Sequence, residues 1–319
     1  MKANLLNDNF INVLNNKFPK KSELANKLMD ILFIEKEAIY RRLRGEVLFS
    51  FFEIAMISDK LGISLDSIIG LESSRSRPFY IKLTNYIDPQ EIDLHMVDEY
   101  MGLLKEIRNE SNTETGAALK MIPDVFHLRY KHISKFYLFK WVYQYNNPEV
   151  KRPFREINSD KMLNKLGELR LLLHEFKEAY YIFDKRIFQN FVDDLNYFVS
   201  IKLIEPEELK ILKGELLELI DYLESLAISG KNEAGNKVSF FISDVNFETD
   251  FSYIESQNYK LSLVRSFTLY DIASLDEKTL AVSKKWLQSL KRTSTLISES
   301  GELQRMDFFN SQREIINTL

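Results

Sequence analysis

Apolar residues in the first part of the chain recur at the three- and four-residue spacing of a helix face. Leu24, Leu28 and Ile31 follow Ser22 and Glu23 at intervals of four and three, which predicts an amphipathic helix with one buried side. The pattern breaks near Phe33 and Ile34. It resumes as a short helix over 35–43, in which Ala38, Ile39 and Leu43 point inward and Lys36, Glu37, Tyr40, Arg41 and Arg44 are left outside. Gly45 follows as a left-handed stop. Ser50 then caps a helix containing Phe52, Ile54, Ala55, Ile57 and Leu61, closed by Gly62, and Ser64 and Asp66 open a last short helix through Ile68 and Ile69. These four helices belong to the five-helix bundle expected over 1–72.

The polar run Ser73-Ser74-Arg75-Ser76-Arg77-Pro78 reads as the start of a linker over 73–87, because serine and proline disfavour continuing a helix. A helical domain over 88–230 is expected next. Asp88-Pro89 and Glu205-Pro206 place proline at helix starts, Ser159 caps a further helix, and Leu163, Leu166 and Leu169 supply its apolar positions. After the loop over 229–236 the period changes. Residues 238–242 and 260–269 alternate partly in the manner of strands, and helices over 276–290 and 302–316 follow. The expected fold is mainly α: an N-terminal five-helix helix-turn-helix bundle, a central long-helix domain, and a small α+β C-terminal region over 231–319.

Composition adds limits. Only 10 Gly and 7 Pro punctuate 319 residues, which favours long helices over many short strands. No cysteine is present, excluding disulfides, thiolate metal sites and a cysteine nucleophile, and suiting a cytoplasmic location. The first ten residues lack the apolar stretch of a secretory signal, and no segment approaches the roughly 18 consecutive apolar residues of a membrane helix. No membrane partner is expected. The net charge of −4 looks unfavourable for a nucleic-acid ligand until it is divided along the chain. Residues 1–77 hold 12 Lys plus Arg against 10 Asp plus Glu, a net of +2, and four of those cations fall within 36–44.

A short exposed helix bearing long polar side chains, held against a second helix, has the dimensions to enter a DNA major groove. The residues Glu23-Leu24-Ala25, Ile39-Tyr40-Arg41-Arg42-Leu43-Arg44-Gly45-Glu46 and Leu61-Gly62-Ile63-Ser64-Leu65-Asp66 make this segment similar to the Cro and phage-repressor helix-turn-helix domains, and more closely to their BetR-like variants. The similarity covers the N-terminal region alone. It implies a transcriptional regulator binding double-stranded DNA, with Lys36, Glu37, Tyr40 and Arg41 reading bases and Lys21 and Ser22 meeting phosphate. Arg44 joins the phosphate contacts. Two features depart from the pattern: the first helix of the pair is longer by about one turn, and Phe33 occupies the turn position where glycine is common.

Elsewhere the residues leave alternatives open. Leu209, Leu212, Leu216, Leu219, Leu223 and Leu226 form a seam that suits either a homodimer or internal packing. The aromatic run Phe126, Tyr130, Phe136, Tyr137, Phe139, Trp141, Tyr143 and Tyr145 fits a core or an effector pocket. Lys284, Lys285, Lys291, Arg292, Ser294, Ser298 and Arg305 fit a solvated surface or an anion site. His95, His127, His132 and His174 match no metal motif, and no nucleophile elbow, phosphate loop or dinucleotide fingerprint occurs. No catalytic residue, metal or cofactor is expected. The competing reading is a protein-interaction adaptor that keeps the bundle without binding DNA.

Overall fold

The computed structural model describes residues 3–18, 20–61, 63, 91–108, 110, 112–145, 152–157, 160–268 and 270–319. The chain divides into two compact units, Met1–Ile81 and Lys82–Leu319. The linker expected over 73–87 and the short helix expected after Ser64 lie outside the described residues, so four helices of the N-terminal bundle are described.

Those four are α1 (Ala3–Lys17), α2 (Lys21–Leu32), α3 (Lys36–Leu43) and α4 (Phe51–Leu61). Their apolar faces meet in one core of Phe10, Leu14, Leu24, Ala25, Leu28, Ile31, Ile39, Phe49, Ile54, Ile57 and Leu61. Phe10 and Phe49 pack edge to face at 5.2 Å. The segment between α3 and α4 is fixed from α1, where Asn7 Oδ1 accepts the Phe49 amide at 3.0 Å. The Lys17 amine donates to the Leu61 carbonyl at 2.6 Å and so ties the end of α1 to the end of α4.

The larger unit is built on a seven-stranded sheet. Its elements are α5 (Glu91–Ile107), β1 (Glu114–Leu119), α6 (Asp124–His127), α7 (Lys131–Tyr145), α8 (Asp160–Leu173), β2 (Glu178–Phe183), α9 (Gln189–Ser200), α10 (Pro206–Ser229), β3 (Lys237–Ser243), β4 (Phe251–Glu255), β5 (Lys260–Phe267), β6 (Tyr270–Ser274), α11 (Glu277–Arg292), β7 (Ser294–Leu296) and α12 (Glu302–Asn317). The strand order is β6-β5-β4-β1-β2-β3-β7. β1, β2 and β3 run parallel and every other pairing is antiparallel.

Successive side chains of β2 point to opposite faces, as a strand requires. Ala179, Tyr181 and Phe183 join the large core with α7, α9, α10 and α12, while Tyr180 and Ile182 meet Leu280, Leu287 and Leu290 of α11 on the other face. Gly116 is needed on β1: a Cβ there would lie 2.3 Å from the Tyr180 ring.

The helix-rich character holds, but the division at residue 230 does not. β1 and β2, inside the span read as helical, pair with β4 and β3, so the long helices and the strands form one unit around a sheet larger than expected. Two causes hid the strands. β1 is Glu-Thr-Gly-Ala-Ala-Leu, with small residues of low strand preference. β2 is buried on both faces and reads as a continuous apolar run rather than an alternation.

The elements predicted further along are present. Glu205 forms a capping box with Glu208 at the start of α10, Asp276 caps α11, and α12 ends one residue beyond its expected bound. The leucine seam of α10 faces inward, with Leu212, Leu216, Leu219, Leu223 and Leu226 in the large core. Phe126, Tyr130, Phe136, Tyr137 and Phe139 pack in that core too.

Candidate nucleic-acid interface

The α2–α3 pair begins with the burial of Leu24, Ala25, Leu28 and Ile31 on one side of α2 and of Ile39 on α3. The turn joining them uses Phe33 at φ 54°, a left-handed conformation that costs a side chain with a Cβ roughly 1–2 kcal/mol. Its amide donates to the Met29 carbonyl at 2.9 Å and its ring is 85% exposed. The departure from glycine at this turn is therefore a source of backbone strain, and no packing of the ring offsets it.

α3 is closed at its far end by a two-bond stop: the Gly45 amide donates to the Arg42 carbonyl at 2.9 Å and the Glu46 amide to the Arg41 carbonyl at 3.0 Å. Gly45 takes φ 76°, which suits a residue without Cβ. Ser50 and Glu53 then cap α4 reciprocally, the Glu53 amide donating to Ser50 Oγ at 3.2 Å and the Ser50 amide to Glu53 Oε2 at 2.8 Å. Glu53 also meets Arg42 at 2.8 Å, locking the first turn of α4 to the last turn of α3. Burial raises the Glu53 carboxyl, but the Arg42 and Ser50 hydrogen bonds outweigh it and hold the group below its ordinary value.

On the outward side, Lys36, Glu37, Arg41 and Arg44 are exposed and Tyr40 is half-buried, while Lys21 and Ser22 are exposed on the first turn of α2. The seven residues singled out from the sequence thus all reach solvent on the α2–α3 pair. They are not independent. Arg44 donates to Glu46 Oε1 at 2.6 Å and to Glu37 Oε1 at 3.0 Å, and Arg41 lies 3.5 Å from Glu46. The hydrogen bonds from Glu46 and Glu37 raise Arg44, and the Arg44 hydrogen bond lowers Glu46. With Glu35 exposed beside them, the carboxylates Glu35, Glu37 and Glu46 balance the cations Lys36, Arg41 and Arg44.

The other candidate clusters disperse. Lys284 pairs with Glu114 and Glu255, Lys291 lies over the Tyr180 and Phe241 rings, Ser298 Oγ accepts the Phe240 amide, and Arg305 donates to the Ile297 and Ser300 carbonyls. These groups face different partners and form no common anion site. Among the described residues no group of three or more His, Cys, Asp or Glu is placed to hold a metal ion, and no helix is long and apolar enough to cross a membrane.

One constellation was invisible in the sequence. His127 Nε2 lies 3.1 Å from Asp124 and its Nδ1 3.4 Å from Ser134 Oγ, a Ser-His-Asp alignment on α6 and α7. Ser134 and His127 are both buried, and the Ser134 hydroxyl donates to the His127 carbonyl at 2.9 Å. A nucleophile must be free to meet a substrate; this group instead joins the two helices. Burial pushes Asp124 up, but the Arg265 charge and the His127 hydrogen bond prevail and hold it well below the carboxylate range.

No protein-family model, curated protein or solved structure matches the chain.

Proposed function

We propose that the N-terminal unit binds duplex DNA sequence-specifically and that the chain is a transcriptional regulator, its larger unit serving dimerisation, effector sensing or both. The observation that carries this reading is α3 itself: eight residues, about 12 Å long, anchored by Ile39 and carrying a polar outer face that stays exposed among the described residues of its own unit. Lys36, Glu37, Tyr40 and Arg41 read base edges in the major groove. Lys21, Ser22 and Arg44 meet the phosphates and set the register.

Selection of bound fragments from a genomic DNA pool tests the reading. Enrichment of a common site supports it, and a palindromic site would add dimeric binding. Titrations at fixed salt then separate the roles: Arg44→Ala weakens binding to all duplexes alike, whereas Tyr40→Ala and Lys36→Ala alter preference among them. Failure to enrich any duplex would favour the adaptor, a reading that the balanced charge on the α3 face also suits.

A further inference from the structure

Among the described residues of the N-terminal unit, the exposed large apolar side chains are Phe33, Leu48, Phe51 and Phe52. Their distribution is not scattered. Phe33 lies three residues before α3 begins, and Phe51 and Phe52 open α4, whose first turn is locked to the last turn of α3 by the Arg42–Glu53 pair. Both ends of the α3 segment are thus flanked by phenylalanines 72–85% exposed. Isolated exposed apolar residues need no explanation, but adjacent aromatic rings left in water do. Phe33 adds backbone strain in a conformation that glycine would adopt freely.

Resting on the DNA-binding reading, we infer that Phe33, Phe51 and Phe52 are apolar contacts to the duplex, seated against thymine methyl groups and deoxyribose on either side of α3, in place of the net positive charge the surface lacks. Three cations balanced by three carboxylates give phosphate little to hold. Affinity must then come from contacts that do not depend on charge, and phenylalanine against a thymine methyl is one that the major groove offers. A second copy of the chain is a poorer occupant. Fully covered, Phe33, Phe51 and Phe52 together would bury about 450–750 Å², short of the roughly 800 Å² per partner of a stable interface.

The test is a salt-dependent titration of the full chain against its selected duplex, alongside Phe51→Ala/Phe52→Ala and Phe33→Gly. All three side chains are exposed, and glycine suits the backbone at position 33, so the variants keep the fold. The logarithm of the binding constant should fall with that of salt at a slope no steeper than about −4, the limit for Lys21, Lys36, Arg41 and Arg44 together. Each lost phenylalanine should weaken binding about tenfold while leaving that slope unchanged. Variants that bind as tightly as the parent would overturn the inference and leave the DNA reading standing; a parent that binds no duplex would overturn both. Self-association of the DNA-free chain, abolished by the double substitution without a change in DNA affinity, would assign the rings to a second copy instead.

Discussion

In the N-terminal unit Arg41 and Arg44 meet Glu37 and Glu46 with half or more of each arginine side chain in solvent, whereas in the larger unit Arg265 meets Asp271 at 2.9 Å and Asp124 at 3.6 Å with its side chain 18% exposed. The same chemistry has different uses in the two places. An exposed pair contributes little to folding, so its arginine can leave a carboxylate for a phosphate at small cost. A screened pair cannot exchange in this way, since parting it strands charge away from water. The charges of the small unit are therefore available to a partner, and those around Arg265 hold the fold.

The largest effect that would sharpen this contrast is a pH dependence confined to the larger unit. Burial pushes the Asp250 carboxyl up to about 6, against the backbone hydrogen bonds from Lys120 and Met121 and the Arg265 charge that favour ionisation. Burial also raises Asp271, opposed by Arg265. A carboxyl raised in the folded state binds a proton that the unfolded chain has released. Its contribution is therefore complete below the unfolded value near 3.8 and is lost as pH rises through about 6. For Asp250 alone that loss is on the order of 3 kcal/mol. Both tryptophans, Trp141 and Trp286, belong to the larger unit, so their fluorescence during urea unfolding reports on it selectively. Asp250→Asn should flatten the slope between pH 4 and 6; an unchanged slope would assign the titration elsewhere.

Arg265→Met should come next in size. It leaves Asp124, Asp271 and Asp250 without their shared counter-charge, and breaking a fully buried pair in this way costs about 3–5 kcal/mol. Partial exposure lowers the expectation here to about 2 kcal/mol. The tryptophan transition should shift while the helical signal of the small unit does not. A joint shift would mean that the units unfold together.

How much was legible beforehand follows the same division. The N-terminal helices could be read because each buries one face and exposes the other, and because Gly45 and Ser50 are local stop and start signals whose physics needs no distant partner. Phe33 was marked at its turn for the same reason. The pairing of Glu46 with Arg44 and Arg41 was missed although the residues are close in sequence; the signal was a carboxylate placed directly after the cationic run Arg41, Arg42 and Arg44. Three phenylalanines at 49, 51 and 52 also gave notice, since a helix start of that size cannot bury all of them. In the larger unit the sheet was concealed by its own burial. Strands covered on both faces lose the alternation that identifies them, and parallel neighbours separated by crossover helices leave no hairpin turn. The cluster of Asp124, His127, Ser134, Asp250, Arg265 and Asp271 spans nearly 150 residues of chain and exists only once β5 and β6 lie beside α6.

The smallest expected effect tests the exposed side of the comparison. Glu46 holds Arg44 through a 2.6 Å hydrogen bond and lies 3.5 Å from Arg41. Glu46→Gln removes a negative charge from the outer face of α3 while keeping a polar side chain of the same length. Because both partners stand in solvent, the unfolding midpoint should not move measurably. On the proposed DNA-binding reading it is affinity that should change: with Arg44 released toward phosphate, binding at low salt should tighten a few-fold and its salt dependence should steepen, since more counterions are then displaced. A midpoint that falls while affinity stays constant would mean that the Arg44–Glu46 pair is structural after all, and the distinction between exchangeable and fixed charges would fail at the residue where it should be clearest.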